Sequence, residues 1–219
     1  MPEVVVAGKL QRKVMAEKKH SNALIVFARK PELGKVKTRL AATIGDERAL
    51  EIYVLLLEHT RSLLAAADCD PHIFLTSLHE DPFWNGFEKH LQDGKDLGER
   101  MHHAFERLLN RGYEKVLIIG SDCPKLTESH ISEAFRCLNH CDVVIGPARD
   151  GGYYLLGMKQ IYHELFVNKK WSTDTVFADT LFSIGEAGLS YVEMEVLSDV
   201  DEEGDIPEGW IAASKQSFL

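Results

Sequence analysis

The sequence predicts a single-domain, Rossmann-like α/β fold with a mainly parallel central sheet and helices on both faces. Short apolar runs alternate with amphipathic helical patterns along almost the whole chain, which is typical of right-handed βαβ units. The apolar runs are rich in β-branched residues and lack polar alternation, as in strands that are buried on both faces. The chain has 219 residues with 45% hydrophobic content, so it can bury one sizeable core.

Six apolar runs predict strands, and four segments with a helical period predict helices. The predicted strands are residues 23–28 (ALIVFA), 72–77 (HIFLTS), 115–119 (KVLII), 142–146 (DVVIG), 153–157 (YYLLG) and 191–196. The predicted helices are residues 46–67, 98–110, about 128–138, and 173–186. The pattern contains no repeat, low-complexity tract or Pro/Gly-rich linker that would divide the chain.

The two ends differ from this pattern. Residues 1–21 are expected to form a flexible N-terminal extension, 22–206 the folded domain and 207–219 a C-terminal tail. The order of charges around the first apolar run is the reverse of a signal peptide. Translation could start at Met1 or at Met15 without cost to the predicted fold.

Composition excludes several classes of function. A formal net charge of -9 argues against a broad nucleic-acid-binding face, and no apolar run approaches the length of a membrane span. Four irregularly spaced cysteines do not form a secreted disulfide framework, so a reduced, cytoplasmic setting is expected. Cys137, His140 and Cys141 have no second pair at zinc-site spacing, which favours a helix end over a metal site.

The turn after the first strand, ARKPELGKVKTRL, has the composition of a phosphate site. Pro31 and Gly34 break regular structure, and a helix follows, so its backbone N–H groups can point at an anion. The side chains that can converge on the same anion are Lys30, Lys35, Lys37 and Arg39. The turn is neither a P-loop nor a dinucleotide fingerprint. The alternative is a solvated basic turn.

The segment GSDCPKLT places a carboxylate at the end of a buried strand. In open α/β sheets, ligands bind at the carboxyl edge, so Asp122 is a candidate functional residue. The alternative is that Asp122 caps the following helix or closes a turn.

The acidic segment LSDVDEEGD follows the last predicted strand. Asp199 and Asp201 could turn toward one ion, and together with Asp122 they supply the hard oxygen ligands that Mg²⁺ or Mn²⁺ requires beside a diphosphate. A solvated acidic tail is the alternative. Because Asp122 and Asp201 carry the same charge, they are expected to repel each other without a metal.

Three further segments carry glycine or aromatic residues at element junctions. Gly98 and Arg100 begin a predicted helix, where the glycine allows close backbone approach or only a turn. Asp150, Gly151, Gly152 and Tyr153 form either a tight hairpin turn or a loop against a ligand, with a tyrosine able to stack on a sugar. A second aromatic candidate is Trp171, for which burial beside a helix N-cap is the alternative.

Taken in order, these segments resemble the nucleotide-diphospho-sugar transferase superfamily. FARKPELGKVKTRL, DLGERM, IGSDCPKLT, GPARDGGYYLLG, KKWST and DVDEEGD are similar to a family of small bacterial glycosyltransferase-like proteins of the arsenosugar-biosynthesis type, related to phospholactate guanylyltransferase. The match runs from about residue 23 to residue 205. The resemblance implies the GT-A-like fold of that superfamily. This sequence departs from the family pattern after Asp201, where Glu-Glu-Gly-Asp replaces the usual Thr-Pro-Glu-Asp.

The resemblance also implies roles for individual residues. Lys37 and Arg39 would hold the diphosphate, Gly98 and Arg100 would border the nucleotide, and a divalent metal would be bound by two aspartates. Those two metal ligands are Asp122 and Asp201.

The leading hypothesis is transfer of a sugar from a nucleotide sugar to a small-molecule acceptor, with Mg²⁺ or Mn²⁺ as cofactor. Asp150 would orient or deprotonate the acceptor hydroxyl, and Tyr153 or Trp171 would contact the sugar or the acceptor. One alternative is a nucleotidyltransferase that joins a nucleoside triphosphate to a phosphorylated small molecule and releases pyrophosphate. Another is a nucleotide-sugar-binding protein without catalysis. The sequence does not define the oligomeric state.

Overall fold

A computed structural model describes residues 19–77 and 82–210 of the chain. Its centre is a seven-stranded sheet with the order β3-β2-β1-β4-β6-β5-β7. The strands are β1 (Asn22–Ala28), β2 (Asp70–Leu75), β3 (Glu88–Leu91), β4 (Lys115–Ile119), β5 (Val143–Pro147), β6 (Tyr153–Met158) and β7 (Tyr191–Glu193). The predicted strands are therefore all present.

The sheet is mainly parallel, which confirms the predicted fold class. β1 pairs in parallel with β2 and β4, and β3 and β7 extend the parallel arrangement at the two edges. β6 is the exception, because it is antiparallel to both β4 and β5. Its apolar sequence cannot reveal this direction, since a strand buried on both faces has the same composition either way.

Among the residues that the structure describes, five α-helices cover both faces of the sheet. They are α1 (Thr38–Ile44), α2 (Asp46–Ala66), α3 (Leu97–Leu109), α4 (Glu128–Cys137) and α5 (Val176–Glu186). Alternate residues of β1 point to different cores: Leu24 and Val26 face the core with α2 and α4, whereas Ala23 and Ile25 face the core with α3. This alternation explains why the strand is apolar throughout.

Some boundaries differ from the sequence-based predictions. The last helix begins at Val176 rather than at residue 173, and the last strand ends at Glu193 rather than at residue 196. The edge strand β3 was not predicted because its sequence, EKHL, is four residues long and mostly polar. Of the described part of the chain, no helix has the length and apolarity required to cross a membrane.

The predicted N-terminal extension lies mostly outside the described residues, as does most of the C-terminal tail. The last residues of the N-terminal extension are hydrogen-bonded to the domain, since the backbone N–H groups of Lys19 and His20 donate to Asp70 Oδ2 at 2.8 and 3.2 Å. All four cysteines are free thiols.

Candidate active site

A cleft of about 890 Å³ lies at the carboxyl edge of the sheet, beside the ends of β1 and β4. The turn after β1 leads into it and ends at Lys37, which has a left-handed backbone (φ 46°) immediately before α1. This conformation is uncommon outside glycine and asparagine. With this backbone conformation at Lys37, helix α1 begins at Thr38 and the Lys37 side chain lies in the cleft.

Lys37 joins two aspartates that are far apart in sequence. Its ammonium group donates to Asp122 Oδ2 at 2.9 Å and to Asp201 Oδ1 at 3.3 Å. The Lys37 side chain is only 8% exposed. Burial by itself lowers the pKa of this ammonium group, but attraction to Asp122 and then to Asp201 outweighs burial, so the net shift is upward. The lysine therefore stays charged, and the expected repulsion between the two aspartates is replaced by a shared cation.

Asp122 lies where the sequence predicted, just beyond the end of β4. Its carbonyl oxygen accepts a hydrogen bond from the N–H of Val200 at 3.0 Å, which ties the end of β4 to the acidic segment. The helix-cap alternative does not apply, because the N-cap residue of α4 is Thr127.

The acidic segment is an ordered turn at Asp201. Asp205 Oδ2 accepts from the N–H groups of Asp201 and Glu202 at 3.1 and 2.9 Å. Arg39 Nη1 donates to Asp201 Oδ2 at 3.3 Å, although the arginine side chain is 75% exposed. The carboxylate that orders this turn is Asp205, which is also the last residue of the usual Thr-Pro-Glu-Asp, so the departure from the family sequence after Asp201 leaves it in place.

Asp199 belongs to the site, as the aspartate pattern suggested, although it is not one of the two metal ligands that the resemblance implies. It lines the cleft, and its buried Oδ1 has no hydrogen-bond partner among the described residues. Burial, followed by repulsion from Asp122 and Asp150, raises the pKa of Asp199 to about 7. Its one signal in the sequence is the alternation of aspartates in the segment DVD.

These carboxylates fit a hard divalent cation by chemistry, because Asp122, Asp199 and Asp201 supply oxygen ligands and one buried oxygen is unpaired. Their oxygen atoms are farther apart than the ligand atoms of a formed metal site. Within the ranges that the structure describes, the one group of three candidate ligands within 4.8 Å of one another is His72, Glu88 and His90, outside the cleft.

Gly98 is a packing residue at the start of α3. A Cβ atom at this position would lie 2.5 Å from the Phe166 carbonyl oxygen and would overlap the indole of Trp171. The close backbone approach that the sequence suggested is thus made by Trp171, which itself lines the cleft. Nearby, Arg100 also lines the cleft, and its Nε donates to the Gly94 carbonyl oxygen at 3.0 Å.

The segment Asp150 to Tyr153 forms a turn beside the cleft. Asp150 Oδ1 accepts from the N–H of Gly152 at 2.9 Å, and Gly151 (φ 87°) lies so close to the Asp174 backbone that a side chain would not fit. Asp150 is exposed and lines the cleft, as does the half-buried Tyr153. Desolvation raises the pKa of the Tyr153 phenol, so it stays protonated at neutral pH.

The structure brings most of the predicted site residues to this one cleft. Those that line it are Lys37, Arg39, Arg100, Asp122, Asp150, Gly152, Tyr153, Trp171 and Asp201. The candidates that are not part of its lining are Lys30, Gly34, Lys35, Gly98 and Gly151. Lys30 pairs instead with Glu32 at 3.6 Å. Tyr53 was not predicted, because it lies in the helical pattern of α2. It lines the cleft, and its hydroxyl contacts the Arg29 backbone.

The fold and the position of the cleft define the class as the nucleotide-diphospho-sugar transferase superfamily. A solved structure from Desulfovibrio desulfuricans G20, provisionally named a nucleotide-diphospho-sugar transferase, is 31% identical with a TM-score of 0.79 over 83% of each chain. Residues 56–173 match the family described as "Uncharacterized protein conserved in bacteria (DUF2064)". The chain belongs to this family.

Curated relatives of the chain are guanylyltransferases. A 2-phospho-L-lactate guanylyltransferase from Methanocella arvoryzae is 28% identical over 80% of this chain and 75% of its own length. A phosphoenolpyruvate guanylyltransferase from Sphaerobacter thermophilus is 27% identical over 53% of this chain and 58% of its own length. The chain spans 61% of the length of a further 2-phospho-L-lactate guanylyltransferase, from Methanocaldococcus vulcanius.

Proposed function

We propose that the protein is a nucleotidyltransferase that joins a nucleoside triphosphate to a small phosphorylated acid and releases pyrophosphate. The observation that carries this proposal is Lys37, a buried cation held by Asp122 and Asp201 at the carboxyl edge of the sheet. A group in this place can hold a polyphosphate once the aspartates engage another cation. The names of the curated relatives favour guanylyl transfer over transfer of a sugar.

The relatives also suggest the class of acceptor. Both named acceptors, 2-phospho-L-lactate and phosphoenolpyruvate, are three-carbon carboxylic acids with a phosphate on carbon 2. Such an acceptor carries several negative charges and needs basic partners beyond the loop after β1. Arg29, Lys95 and Arg100 line the cleft and offer this charge.

In the proposed reaction, an oxygen of the acceptor phosphate attacks the α-phosphorus of the nucleoside triphosphate. The bond from that phosphorus to the bridging oxygen of the β-phosphate breaks, and pyrophosphate leaves with the bonding electrons. Lys37 and Arg39 stabilise the negative charge that develops on the phosphoryl oxygens. The acceptor phosphate is already ionised at neutral pH, so Asp150 is not required as a base and would orient the acceptor instead.

The cleft residues that would hold a divalent metal are Asp122, Asp199 and Asp201. A bound Mg²⁺ or Mn²⁺ supplies charge neutralisation along the polyphosphate. Burial and other carboxylates raise the pKa of the Asp199 carboxyl group. A cation bound nearby would lower that pKa again, so Asp199 would lose its proton when the metal binds.

Sugar transfer from a nucleotide sugar remains the second candidate. It is favoured by the name of the D. desulfuricans protein, which shares 31% of its sequence with this chain. In that case Lys37 and Arg39 would stabilise the departing nucleoside diphosphate, and Asp150 would act on the acceptor hydroxyl.

Product analysis separates the two functions. The protein is incubated with Mg²⁺ or Mn²⁺ and either GTP plus 2-phospho-L-lactate or phosphoenolpyruvate, or a panel of nucleotide sugars with small alcohols. Pyrophosphate release that depends on the phosphorylated acid is expected. Nucleoside diphosphate released from a nucleotide sugar, without pyrophosphate from any triphosphate, would overturn the proposal in favour of sugar transfer. A nucleotide-dependent rise in thermal midpoint without turnover would favour a binding protein.

A further inference from the structure

A cluster of potential metal ligands lies at the β2/β3 edge of the sheet. His72 of β2 is the parallel-register partner of Glu88 of β3. His90 follows Glu88 by two residues, so both side chains lie on the same face of the strand. His72 and His90 are buried, and Glu88 is half-buried. The cluster lies about 10 Å from the carboxyl end of β2, judged from a strand rise of about 3.3 Å per residue.

The spacing of these groups matches one metal ion. His72 Nδ1 is 3.1 Å from His90 Nε2. The two nitrogens face different oxygens of Glu88, since His72 Nδ1 is 3.6 Å from Oε2 and His90 Nε2 is 3.6 Å from Oε1. Zinc bonds of about 2.0 to 2.2 Å in a tetrahedron place neighbouring ligand atoms about 3.3 to 3.6 Å apart. No large movement of the three side chains is needed to reach that geometry.

We propose that His72, Glu88 and His90 bind one zinc ion or a similar transition-metal ion, as a structural site separate from the cleft. Two imidazoles and a carboxylate are a ligand set that suits zinc and is softer than the all-oxygen set of the cleft. The proposal is independent of the reaction assigned to the cleft.

The surroundings of His72 support this role. His72 Nε2 is 3.0 Å from the Tyr113 hydroxyl, which donates to Asp70 Oδ2 at 3.0 Å. This outer partner fixes the ring so that Nδ1 faces Glu88 and His90, as partners of zinc-binding histidines do. Burial lowers the pKa of both His72 and His90 to about 4, so their rings are neutral at pH 7 and can bind a metal.

Two arginines must adjust when the ion binds. Arg111 pairs with both oxygens of Glu88 at 2.7 and 3.1 Å, and it would share the carboxylate with the ion. Arg107 Nη1 lies 3.2 Å from His90 Nδ1, and a guanidinium can only donate. His90 therefore carries its proton on Nε2 without a metal. Binding through Nε2 moves that proton to Nδ1 and displaces Arg107.

The site would fasten an edge strand that leads to the cleft. β3 has four residues, and immediately after it Gln92 donates its N–H to the Leu75 carbonyl oxygen at 2.8 Å. Gln92, Lys95 and Asp96 then line the cleft. An ion joining β2 to β3 would hold this segment in place.

The test is equilibrium dialysis of the full-length, chelator-treated protein against micromolar Zn²⁺, followed by metal analysis. One bound equivalent is expected for the wild type, with at least a tenfold loss of affinity in Glu88→Gln and His90→Gln. Arg107→Gln should retain the ion with equal or higher affinity, because a glutamine oxygen can accept from Nδ1–H. Co²⁺ should give the intense visible absorption of a four-coordinate site in the wild type only.

Two controls exclude zinc bound elsewhere. His102→Gln/His163→Gln removes a second histidine pair, whose ring nitrogens are 3.4 Å apart, and Asp201→Asn alters the cleft. Both variants should still bind one equivalent of zinc. The proposal is overturned if the wild type binds no zinc, if Glu88→Gln and His90→Gln bind it as tightly as the wild type, or if either control or Arg107→Gln loses it. In those cases the cluster is a self-contained hydrogen-bond network.

Discussion

Lys37 Nζ lies 2.9 Å from Asp122 Oδ2, which joins the turn after β1 to the end of β4 across 85 positions of sequence. The lysine side chain is nearly buried, while that of Asp122 is 38% exposed. The ammonium group also reaches Asp201, so one cation holds two carboxylates that would otherwise repel. The first two predictions follow from this contact.

Lys37→Met should weaken the binding of a nucleoside triphosphate by about 1.5 to 3 kcal/mol, as expected for a lost charge-assisted hydrogen bond. Arg39→Met should have a smaller effect, because the arginine is mostly exposed. Calorimetric titration in the presence of Mg²⁺ measures both. Lys35→Met is the matched control, since Lys35 is 73% exposed, pairs with Glu32 and does not line the cleft. Equal affinities for all three variants would contradict a phosphate-binding role of the loop.

Asp122→Asn should reduce metal-dependent turnover by at least about a hundredfold, because it removes the charge of a metal ligand. If Asp122 and Asp201 only repelled each other, as the sequence predicts, this change would preserve or raise stability. The structure reverses that expectation, because Lys37 loses a close partner. At about pH 5, where Asp199 is protonated, we expect a loss of about 1 kcal/mol. Urea unfolding measures it. Normal turnover in the folded variant would exclude Asp122 as a metal ligand.

The free energy of unfolding of the metal-free protein should depend on Asp199 between pH 5 and 8. An unfolded aspartate has a pKa of about 3.9, whereas burial and neighbouring carboxylates raise that of Asp199 to about 7. The folded state thus binds more protons in this interval, so the contribution of Asp199 to stability falls as the pH rises from about 4 through 7. It is fully present below the unfolded pKa.

Urea unfolding in the presence of a chelator should therefore show a smaller decline with pH for Asp199→Asn than for the wild type. Asp142→Asn is the control. Hydrogen bonds from Ser190 lower the pKa of the carboxyl group of the half-buried Asp142, so its loss should leave the slope between pH 5 and 8 unchanged. Parallel wild-type and Asp199→Asn curves would contradict the raised pKa.

Gly98→Ala should destabilise the protein by about 1 to 3 kcal/mol, because the added methyl group overlaps Trp171 and crowds Phe166. Gly185→Ala is the matched control, since Gly185 also lies in a helix but a Cβ atom there has no neighbour within 4 Å. That control should be neutral or stabilise by about 0.5 to 1 kcal/mol. Thermal and urea unfolding compare the two. If Gly98→Ala leaves the free energy of unfolding unchanged, Trp171 can move away from α3 at no cost, and close packing at Gly98 is not required.

The sequence determined the fold class and the place of the cleft. Buried strands separated by amphipathic helices leave little choice besides a sheet covered on both faces, and β1 and β4 show the expected apolar runs. Polar residues directly after such strands must lie at one edge when the strands are parallel. For this reason the sequence alone assigns Lys37, Asp122 and Asp201 to one site.

The pairing of these residues, and the set of neighbours that belong with them, depend on the tertiary structure. Lys37 reaches its aspartates through a left-handed backbone, and Gly98 serves the packing of Trp171, neither of which has a local sequence signal. Asp199 and Asp201 look alike in the sequence, yet burial leaves an oxygen of Asp199 unpaired while Asp201 meets Lys37. Sequence spacing fixes which element carries a side chain, whereas its charge partner, its burial and hence its pKa depend on contacts between distant segments.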